Sequence, residues 1–209
     1  MNIQEAYNAW ASQYDSNENK TRDLEAIALR ETLANLSFDS CLEIGCGTGK
    51  NTAFFIEKTR HITAVDLSEE MMAKAKARFK NDKIKFIQAD ITAAWSFTDR
   101  FYDLVSFSLV LEHISNLDHI FKETAAVLND GGFIYVGELH PFKQYTGSKA
   151  RFDTENGVQV VDCFNHHFTD FILPAKKYGL TLIDVNEYFD NNERNELPRI
   201  LTLVFVKQG

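Results

Sequence analysis

The stretch Cys41-Leu-Glu-Ile-Gly-Cys-Gly-Thr-Gly49 joins a short apolar run to a loop of three glycines. The apolar run, residues 40–45, predicts a buried β-strand, and the loop leads into a helix predicted over 50–59. Glycine at such a junction lets the backbone turn tightly and approach a ligand closely. The spacing is Gly-x-Gly-x-Gly, and Lys50 stands where a dinucleotide-binding fingerprint needs its third glycine. The loop therefore favours a ligand without a pyrophosphate group.

Strand patterns alternate with helix patterns in the residues that follow this loop. Such alternation predicts a parallel sheet with right-handed crossovers and a ligand at the carboxyl ends of its strands. The turn Asp130-Gly-Gly132 is expected to end a helix before the fifth strand. The polar loop 190–196 joins the last two strands into an expected edge hairpin. The predicted strands after the first cover residues 61–66, 84–89, 102–107, 133–139, 180–185 and 200–206, and the predicted helices cover 68–79, 117–128 and 169–178.

Two helices are predicted before the first strand, over residues 2–14 and 21–35. The first is amphipathic with an aromatic face, whereas the patterns of residues 141–165 are less regular. We therefore expect one domain over residues 1–209, with a helical cap at 1–36 and an insertion at 141–168 that covers the substrate. The apolar face of the first helix consists of Ile3, Ala6, Tyr7, Trp10 and Tyr14.

The composition of the 209 residues disfavours several classes of protein. The net charge is −8 without a dense Lys/Arg stripe, which argues against a nucleic-acid partner. The three cysteines form no Cys-x-x-Cys pair, which argues against a disulfide framework or a structural zinc site. No apolar run approaches the ~20 residues that a membrane span needs, and the first residues do not form a secretory signal. We therefore expect no membrane span and a cytoplasmic location.

Acidic residues stand at the ends of the second and third predicted strands. Asp66 lies about twenty residues after the glycine loop, where a carboxylate can accept hydrogen bonds from both hydroxyls of a ribose. Asp90, in Gln88-Ala-Asp-Ile91, can accept a hydrogen bond from an adenine amine, although an aspartate at such a position also serves as a helix cap. Together with the glycine loop, they indicate a nucleoside ligand.

These segments resemble the class I methyltransferases that depend on S-adenosylmethionine (SAM), in particular the type 11 group of small-molecule enzymes, which includes quinone-biosynthesis and malonyl-carrier-protein O-methyltransferases. The resemblance implies an α/β fold, namely a Rossmann-like, doubly wound sheet of seven strands, mostly parallel with an antiparallel last strand, plus the N-terminal helices. It rests on the segments Leu42–Gly49, Val65–Ser68, Gln88–Ile91, Tyr102–Ile114 and Leu128–Phe133.

The resemblance also implies which residues bind SAM, at the carboxyl ends of the first four strands. They are Glu43, Gly45, Cys46 and Gly47 in the loop for the methionine part, Asp66 for the ribose, Leu67 and Met71 for one face of the adenine, Asp90 and Ile91 for the adenine edge, Phe107 and Ser108 beside the methionyl end, and Tyr14 as a closing residue.

Methyl transfer from SAM needs a nucleophile in line behind the methyl carbon. A base helps when the acceptor is a hydroxyl or an acidic carbon. His113 after the fourth strand and His140 after the fifth are the catalytic candidates, because both follow strands that end near the expected methyl group. The pair His166-His167 lacks an acidic partner at helical ligand spacing, so we expect no metal.

The acceptor is left open as an O, N or C nucleophile. Aromatic residues in the predicted insertion favour an apolar or aromatic small molecule, and the protein is expected to be a monomer or homodimer. Arg22 and Arg151 could bind a substrate carboxylate, but the sequence does not place them. The aromatic residues concerned are Phe142, Tyr145, Phe152, Phe164 and Phe168.

Three other functions fit parts of the sequence. A protein that binds SAM or a derivative without methylating would keep the same glycine loop. An NAD-dependent oxidoreductase has a similar topology, but Lys50 argues against it. A nucleic-acid amino-methyltransferase would carry an Asp/Asn-Pro-Pro-Tyr segment after the fourth strand, where this chain has Ser106-Phe-Ser-Leu109.

Overall fold

The computed structural model describes residues 2–154 and 157–209. Its main sheet has seven strands in the order β3-β2-β1-β4-β5-β9-β8. The neighbours from β3 to β5 pair in parallel, and β9 pairs antiparallel with both β5 and β8. The predicted sheet and edge hairpin are therefore confirmed. The strands are β1 Ser40–Ile44, β2 His61–Asp66, β3 Ile84–Gln88, β4 Tyr102–Ser108, β5 Leu128–Leu139, β8 Leu180–Tyr188 and β9 Ile200–Lys207, while β6 Arg151–Thr154 and β7 Gly157–Val160 form a separate hairpin.

Helices cover both faces of the sheet because its strands alternate in the face to which each side chain points. In β1, Leu42 and Ile44 join a core with residues of α5 and α7, whereas Cys41 joins a second core with residues of α2 and α3. The helices are α1 Ile3–Trp10, α2 Lys20–Leu33, α3 Thr52–Lys58, α4 Glu69–Arg78, α5 Leu117–Val127, α6 Pro141–Tyr145 and α7 Phe168–Lys177. None of the helices in the described ranges has the length and apolarity to cross a membrane.

A third apolar cluster joins α1 to the β6–β7 hairpin and to α4. The indole of Trp10 stacks on the ring of Phe152, with centroids 5.1 Å apart and planes 13° from parallel. Met71 of α4 packs into the same cluster. The first helix and the hairpin thus form one layer, which we call the cap. The irregular segment of the sequence contributes to it as this hairpin, and the short helix α6 precedes the hairpin in the chain.

Several boundaries differ from those predicted. The first helix ends at Trp10 rather than at residue 14, and turns follow it. Helix α5 ends at Val127 and β5 begins at Leu128, which pairs with Tyr102, so Asp130-Gly-Gly132 lies within β5 and does not form the predicted turn. The loop 190–196 contains a short 3-10 turn, at which Asp190 pairs with Arg199.

Candidate active site

A cavity of about 430 Å³ opens at the carboxyl ends of the parallel strands. Its floor comes from the glycine loop and from the residues that end β2, β3 and β4, and its roof comes from α1. The residues that line it include Gly45 and Gly47, Asp66, Leu67 and Met71, Asp90 and Ile91, Ser108 and Leu109, His113, and Ile3, Gln4, Tyr7 and Tyr14. The structure thus brings together most of the residues implied for SAM.

Asp66, the last residue of β2, is fixed by the backbone around it. One carboxylate oxygen accepts the N–H of Gly47 at 2.7 Å, and the other accepts the N–H of Ser68 at 2.8 Å. Burial raises the pKa of this carboxyl, and the backbone hydrogen bonds act in the opposite direction. Asp66 therefore does two things at once, because it faces the cavity and it holds the glycine loop against the start of α4.

Asp90 follows β3 and sits at the other end of the cavity. One of its carboxylate oxygens accepts both the backbone N–H of Thr92 at 2.8 Å and its hydroxyl at 2.6 Å. The residues after it form turns and not a helix, so Asp90 is not a helix cap. The side chain is exposed at the rim of the cavity, beside the buried Ile91.

A second, smaller cavity of about 50 Å³ adjoins the first, since both are lined by Tyr14, Gly45, Gly47 and Ser108. Its other walls carry charged and amide groups. The side chains there include Arg22 and Glu25 from α2, Glu43 from β1, and Lys50 and Asn51 from the end of the glycine loop. The sequence alone placed Glu43 here but not the residues of α2.

Three polar atoms of the smaller cavity are buried without a hydrogen-bond partner in the described residues, namely Oγ of Ser108, Nε of Arg22 and Oδ1 of Asn51. Buried polar atoms are rarely left unpaired in proteins. A guanidinium N–H fits a carboxylate and an amide oxygen fits an ammonium, so Arg22 and Asn51 fit an α-amino acid. The residues of the two cavities therefore fit SAM, whose adenosine carries an α-amino acid end.

The guanidinium of Arg22 is held in place by its other nitrogens. Nη2 donates to the carbonyl of Asn17 at 2.8 Å, and Nη1 donates to the carbonyl of Tyr14. The guanidinium carbon lies 4.0 Å from the centroid of the Tyr14 ring. Arg22 gave no signal in the sequence beyond its charge, because its role depends on where α2 packs.

Three carboxyls line the two cavities, and two of them, Glu25 and Glu43, are buried. Burial raises the pKa of Glu43 to about 8, although the Thr52 hydroxyl donates to its carboxylate at 2.6 Å. Burial also raises the pKa of Glu25 and of Asp66. Glu25 accepts hydrogen bonds from Asn51 at 2.9 Å and from the Tyr135 hydroxyl at 3.2 Å. A ligand with a positive charge would favour the ionised form of all three groups.

The raised pKa of Glu43 predicts a pH-dependent stability that Glu43→Gln removes. Between its ordinary pKa of 4.5 and about 8, the folded protein holds a proton on this carboxyl that the unfolded chain has lost. The free energy of unfolding therefore falls as the pH rises through this range. The side chain of the Glu43→Gln variant stays neutral at every pH. We therefore expect the stability of the variant, relative to the wild type, to rise by roughly a few kcal/mol from pH 5 to pH 8. Urea unfolding at several pH values measures this difference, and parallel curves would contradict the burial of a proton at Glu43.

His113 lines the larger cavity at the end of the short 3-10 turn that follows β4. Its Nδ1 lies 2.8 Å from the carbonyl oxygen of Asp162, which can only accept, so Nδ1 carries the proton. Its Nε2 then has the free lone pair and accepts the hydroxyl of Tyr7 at 2.8 Å. The structure thus directs the basic nitrogen of His113 toward α1 and the cavity.

His140 does not line either cavity, contrary to the position expected from the sequence. Its ring is fully buried, Nε2 lies 3.0 Å from Glu187 of β8, and Nδ1 accepts the N–H of Phe142 at the start of α6. β5 ends beside β9, which in turn pairs with β8. The contact of His140 with Glu187 of β8 holds the imidazole away from the cofactor cavity. Phe107 likewise packs into the core and does not line the cavity, whereas Cys46 lines the smaller one.

His166, the first residue of the pair His166-His167, has a structural role. His166 is buried, and its Nε2 lies 3.0 Å and 2.9 Å from the carbonyl oxygens of Leu111 and Ile114. It therefore ties the segment before α7 to the turn that carries His113. Within the described ranges, the three residues that could hold a metal are instead Glu112, His113 and Cys163.

Comparison with known proteins agrees with this geometry. The family model described as "Methyltransferase domain" matches residues 42–136. An uncharacterised methyltransferase of Mycobacterium tuberculosis is 28% identical over 52% of this chain and 55% of its own length. A malonyl-[acyl-carrier protein] O-methyltransferase of a Paenibacillus species is 25% identical over 89% of this chain and 67% of its own length.

The fold is also that of solved methyltransferases. The crystal structure of an S-adenosylmethionine dependent methyltransferase from Mesorhizobium loti superimposes with a TM-score of 0.74 at 19% identity, covering 89% of this chain and 100% of the other. The chain spans little more than half the length of the first curated relatives it matches. The family match covers residues 42–136, less than half of the chain, and this part contains the glycine loop, Asp66 and Asp90.

Proposed function

We propose that this protein transfers a methyl group from SAM to a small-molecule acceptor. The observation that carries the proposal is the pair of adjoining cavities at the glycine loop. One has carboxylates at two strand ends, and the other has unpaired groups of Arg22 and Asn51 that match an amino acid. A dinucleotide would leave these two groups unpaired, because it has no α-amino acid end.

SAM supplies a methyl group that its sulfonium charge makes electrophilic, so the protein mainly has to position the reactants and exclude water. The cap does both. Tyr7 and Tyr14 lie over the cavity, and Trp10 behind them is only 3% exposed. Gln4 of α1 donates to the carbonyl of Leu67 at 3.1 Å, which ties the cap to the adenine side of the site.

His113 is the candidate that acts on the acceptor. It lines the cavity, and the lone pair of Nε2 points to the Tyr7 hydroxyl. An acceptor that reaches this nitrogen would take the place of the tyrosine hydroxyl, so the cap must shift for the acceptor to bind. His140 is not part of the proposal, because it is buried against Glu187.

The acceptor itself is proposed to bind between the cap and residues 141–168. Phe142, Tyr145 and Phe164 of this segment are exposed, and Phe152 of the same segment stacks on Trp10 in the cap. Exposed aromatic side chains on the segment proposed to cover the acceptor favour an apolar or aromatic small molecule over a polymer. The acidic net charge agrees with this choice.

Two measurements test the proposed function. Calorimetry should show one SAM or S-adenosylhomocysteine bound per chain and no tight binding of NADH. An acceptor panel read out as S-adenosylhomocysteine release should then identify a substrate. Tight NADH binding without SAM binding would refute the proposal. SAM binding without product release for any acceptor would favour a binding protein that does not methylate.

A further inference from the structure

Three potential metal ligands meet beside the cofactor cavity. The ligand atoms of Glu112, His113 and Cys163 all lie within 4.8 Å of one another. Glu112 and His113 belong to the 3-10 turn after β4, and Cys163 comes from the segment that follows β7. Carboxylate, imidazole and thiolate are the three ligand types that zinc prefers. Cys163 lies fifty residues after His113 in the sequence, so sequence spacing could not reveal the cluster.

The carboxyl group of Glu112 has an unpaired oxygen in this cluster. Its side chain is only 7% exposed, and Oε2 is buried without a hydrogen-bond partner in the part of the chain that is described. An unpaired buried carboxyl group is costly unless a charge or a donor reaches it. A cation between Glu112 and its neighbours would satisfy this oxygen.

The imidazole of His113 is oriented as a metal ligand usually is. Its Nδ1 donates to the backbone carbonyl of Asp162 at 2.8 Å, which leaves the lone pair on Nε2. Ligating histidines typically donate their other ring N–H to a carbonyl or carboxylate in this way. Nε2 lies 3.8 Å from Oε1 of Glu112, and the ligand atoms of the three residues all lie within 4.8 Å of one another.

These separations are close to those of a zinc site. Zinc–ligand distances of roughly 2.0–2.3 Å in a tetrahedron place neighbouring ligand atoms roughly 3.3–3.6 Å apart. The ligand atoms, which lie within 4.8 Å of one another, therefore need to approach by up to about 1.5 Å. The Cys163 side chain, on an irregular segment, can supply most of that movement by rotation.

The backbone that carries the cluster is held from two sides. Glu138 of β5 accepts the N–H groups of Val110 and Leu111 at 2.9 Å and 2.8 Å. The N–H of Phe164 donates to the carbonyl of Glu112 at 2.7 Å, which ties the segment of Cys163 to the turn. These backbone hydrogen bonds hold the segments that carry Glu112, His113 and Cys163 next to one another.

We propose that Glu112, His113 and Cys163 bind a thiophilic divalent cation, with zinc as the best match. Three protein ligands leave a fourth position, as in catalytic zinc sites, and here it faces the cavity beside Tyr7. The Tyr7 hydroxyl now occupies the lone pair of His113 and would be displaced by the metal. The three protein ligands do not depend on the proposed function. Only the group that fills the fourth position, the hydroxyl or thiol of the acceptor, rests on the proposed function.

A metal at this place would prepare such an acceptor for methylation. Coordination lowers the pKa of a hydroxyl or thiol, so its proton leaves to solvent. The oxygen or sulfur then attacks the methyl carbon of SAM while the carbon–sulfonium bond breaks, and S-adenosylhomocysteine leaves as a neutral thioether. His113 would act as a ligand in this arrangement, and it would not need to accept the proton itself.

The test is zinc binding by the whole purified chain, measured by competition with a chromogenic chelator. We expect one zinc per chain, and at least a tenfold loss of affinity in Cys163→Ser and in Glu112→Gln. His61→Gln is the matched control, because His61 is exposed at the start of β2 and away from the cluster, and it should bind as the wild type does. No stoichiometric binding, or equal affinity in all variants, would overturn the proposal.

Two measurements on the unaltered protein cover the case in which a variant fails to fold. Cys163 is the half-exposed thiol, whereas Cys41 and Cys46 are buried, so zinc should protect Cys163 from alkylation, as seen by mass spectrometry of its peptide. Cobalt in place of zinc should show a thiolate charge-transfer band. Unprotected Cys163 with no such band would contradict the site. SAM calorimetry on the same sample reports separately on the proposed function.

Discussion

Gly45→Ala is expected to abolish measurable SAM binding and to destabilise the fold. Gly45 has a φ of +72°, and a Cβ added there would lie 2.1 Å from Cγ2 of Val110. The left-handed backbone costs about 1–2 kcal/mol for any other residue, and the collision adds about 1–3 kcal/mol. Relief requires the glycine loop and the turn after β4 to separate, and both line the cofactor cavity. Calorimetry with SAM and urea unfolding measure the two effects.

Gly179→Ala is the matched control for this prediction. Gly179 has a φ of +76°, but a Cβ there meets no atom within 4 Å. This variant should show the backbone cost alone, about 1–2 kcal/mol, with SAM affinity unchanged. Equal effects of the two substitutions on SAM binding would show that the close approach of Val110 to the loop does not matter.

Asp66→Ala is expected to weaken SAM binding at least tenfold, which corresponds to about 1.4 kcal/mol. The substitution removes a carboxylate from the cavity wall and also releases the N–H groups of Gly47 and Ser68. Both losses act on the cofactor, because the loop then loses the hydrogen bond that sets its position. Calorimetry with SAM measures the affinity, and Asp66→Asn should keep part of it, since its amide oxygen can still accept one N–H.

Asp103→Ala serves as the control for Asp66→Ala. Asp103 also accepts several hydrogen bonds, from the N–H groups of Asp39 and Ser40, from the Ser40 hydroxyl and from the amide of Asn129. It lies at the amino end of β4, however, away from the cavity. We expect lost stability with unchanged SAM affinity. An unchanged affinity in Asp66→Ala as well would count against the cofactor assignment.

The seven strands of the main sheet could be predicted because their signal is local, whereas β6 and β7 were not predicted. In β1, the apolar run, the glycine loop and the break at Lys50 are all contained in ten residues. The same holds for Asp66, since a carboxylate at the end of the second strand must lie at the cofactor edge of a parallel sheet. The helix ends were predicted less well. Leu128, for example, has the apolar spacing of α5, but its pairing with Tyr102 places it in β5.

The histidines show where local signals stop. His113 and His140 each follow a strand, and the sequence offered the same positional argument for both. His113 lines the larger cavity. His140 instead contacts Glu187 of β8, forty-seven residues away in the sequence, and lies outside the cavity. The sequence offered no position for Arg22, because only the packing of α2 brings its guanidinium to the smaller cavity.

The sequence by itself therefore determined the fold class, the glycine loop and the carboxylates at the strand ends, because these depend on neighbours in the chain and on the direction of parallel strands. Only the tertiary structure decided which charged and nucleophilic groups share a space. Arg22 meets Asn51 through helix packing, and Glu112 and His113 meet Cys163 through the chain's return after the β6–β7 hairpin. Such meetings depend on distances through space, which residue spacing along the chain does not encode.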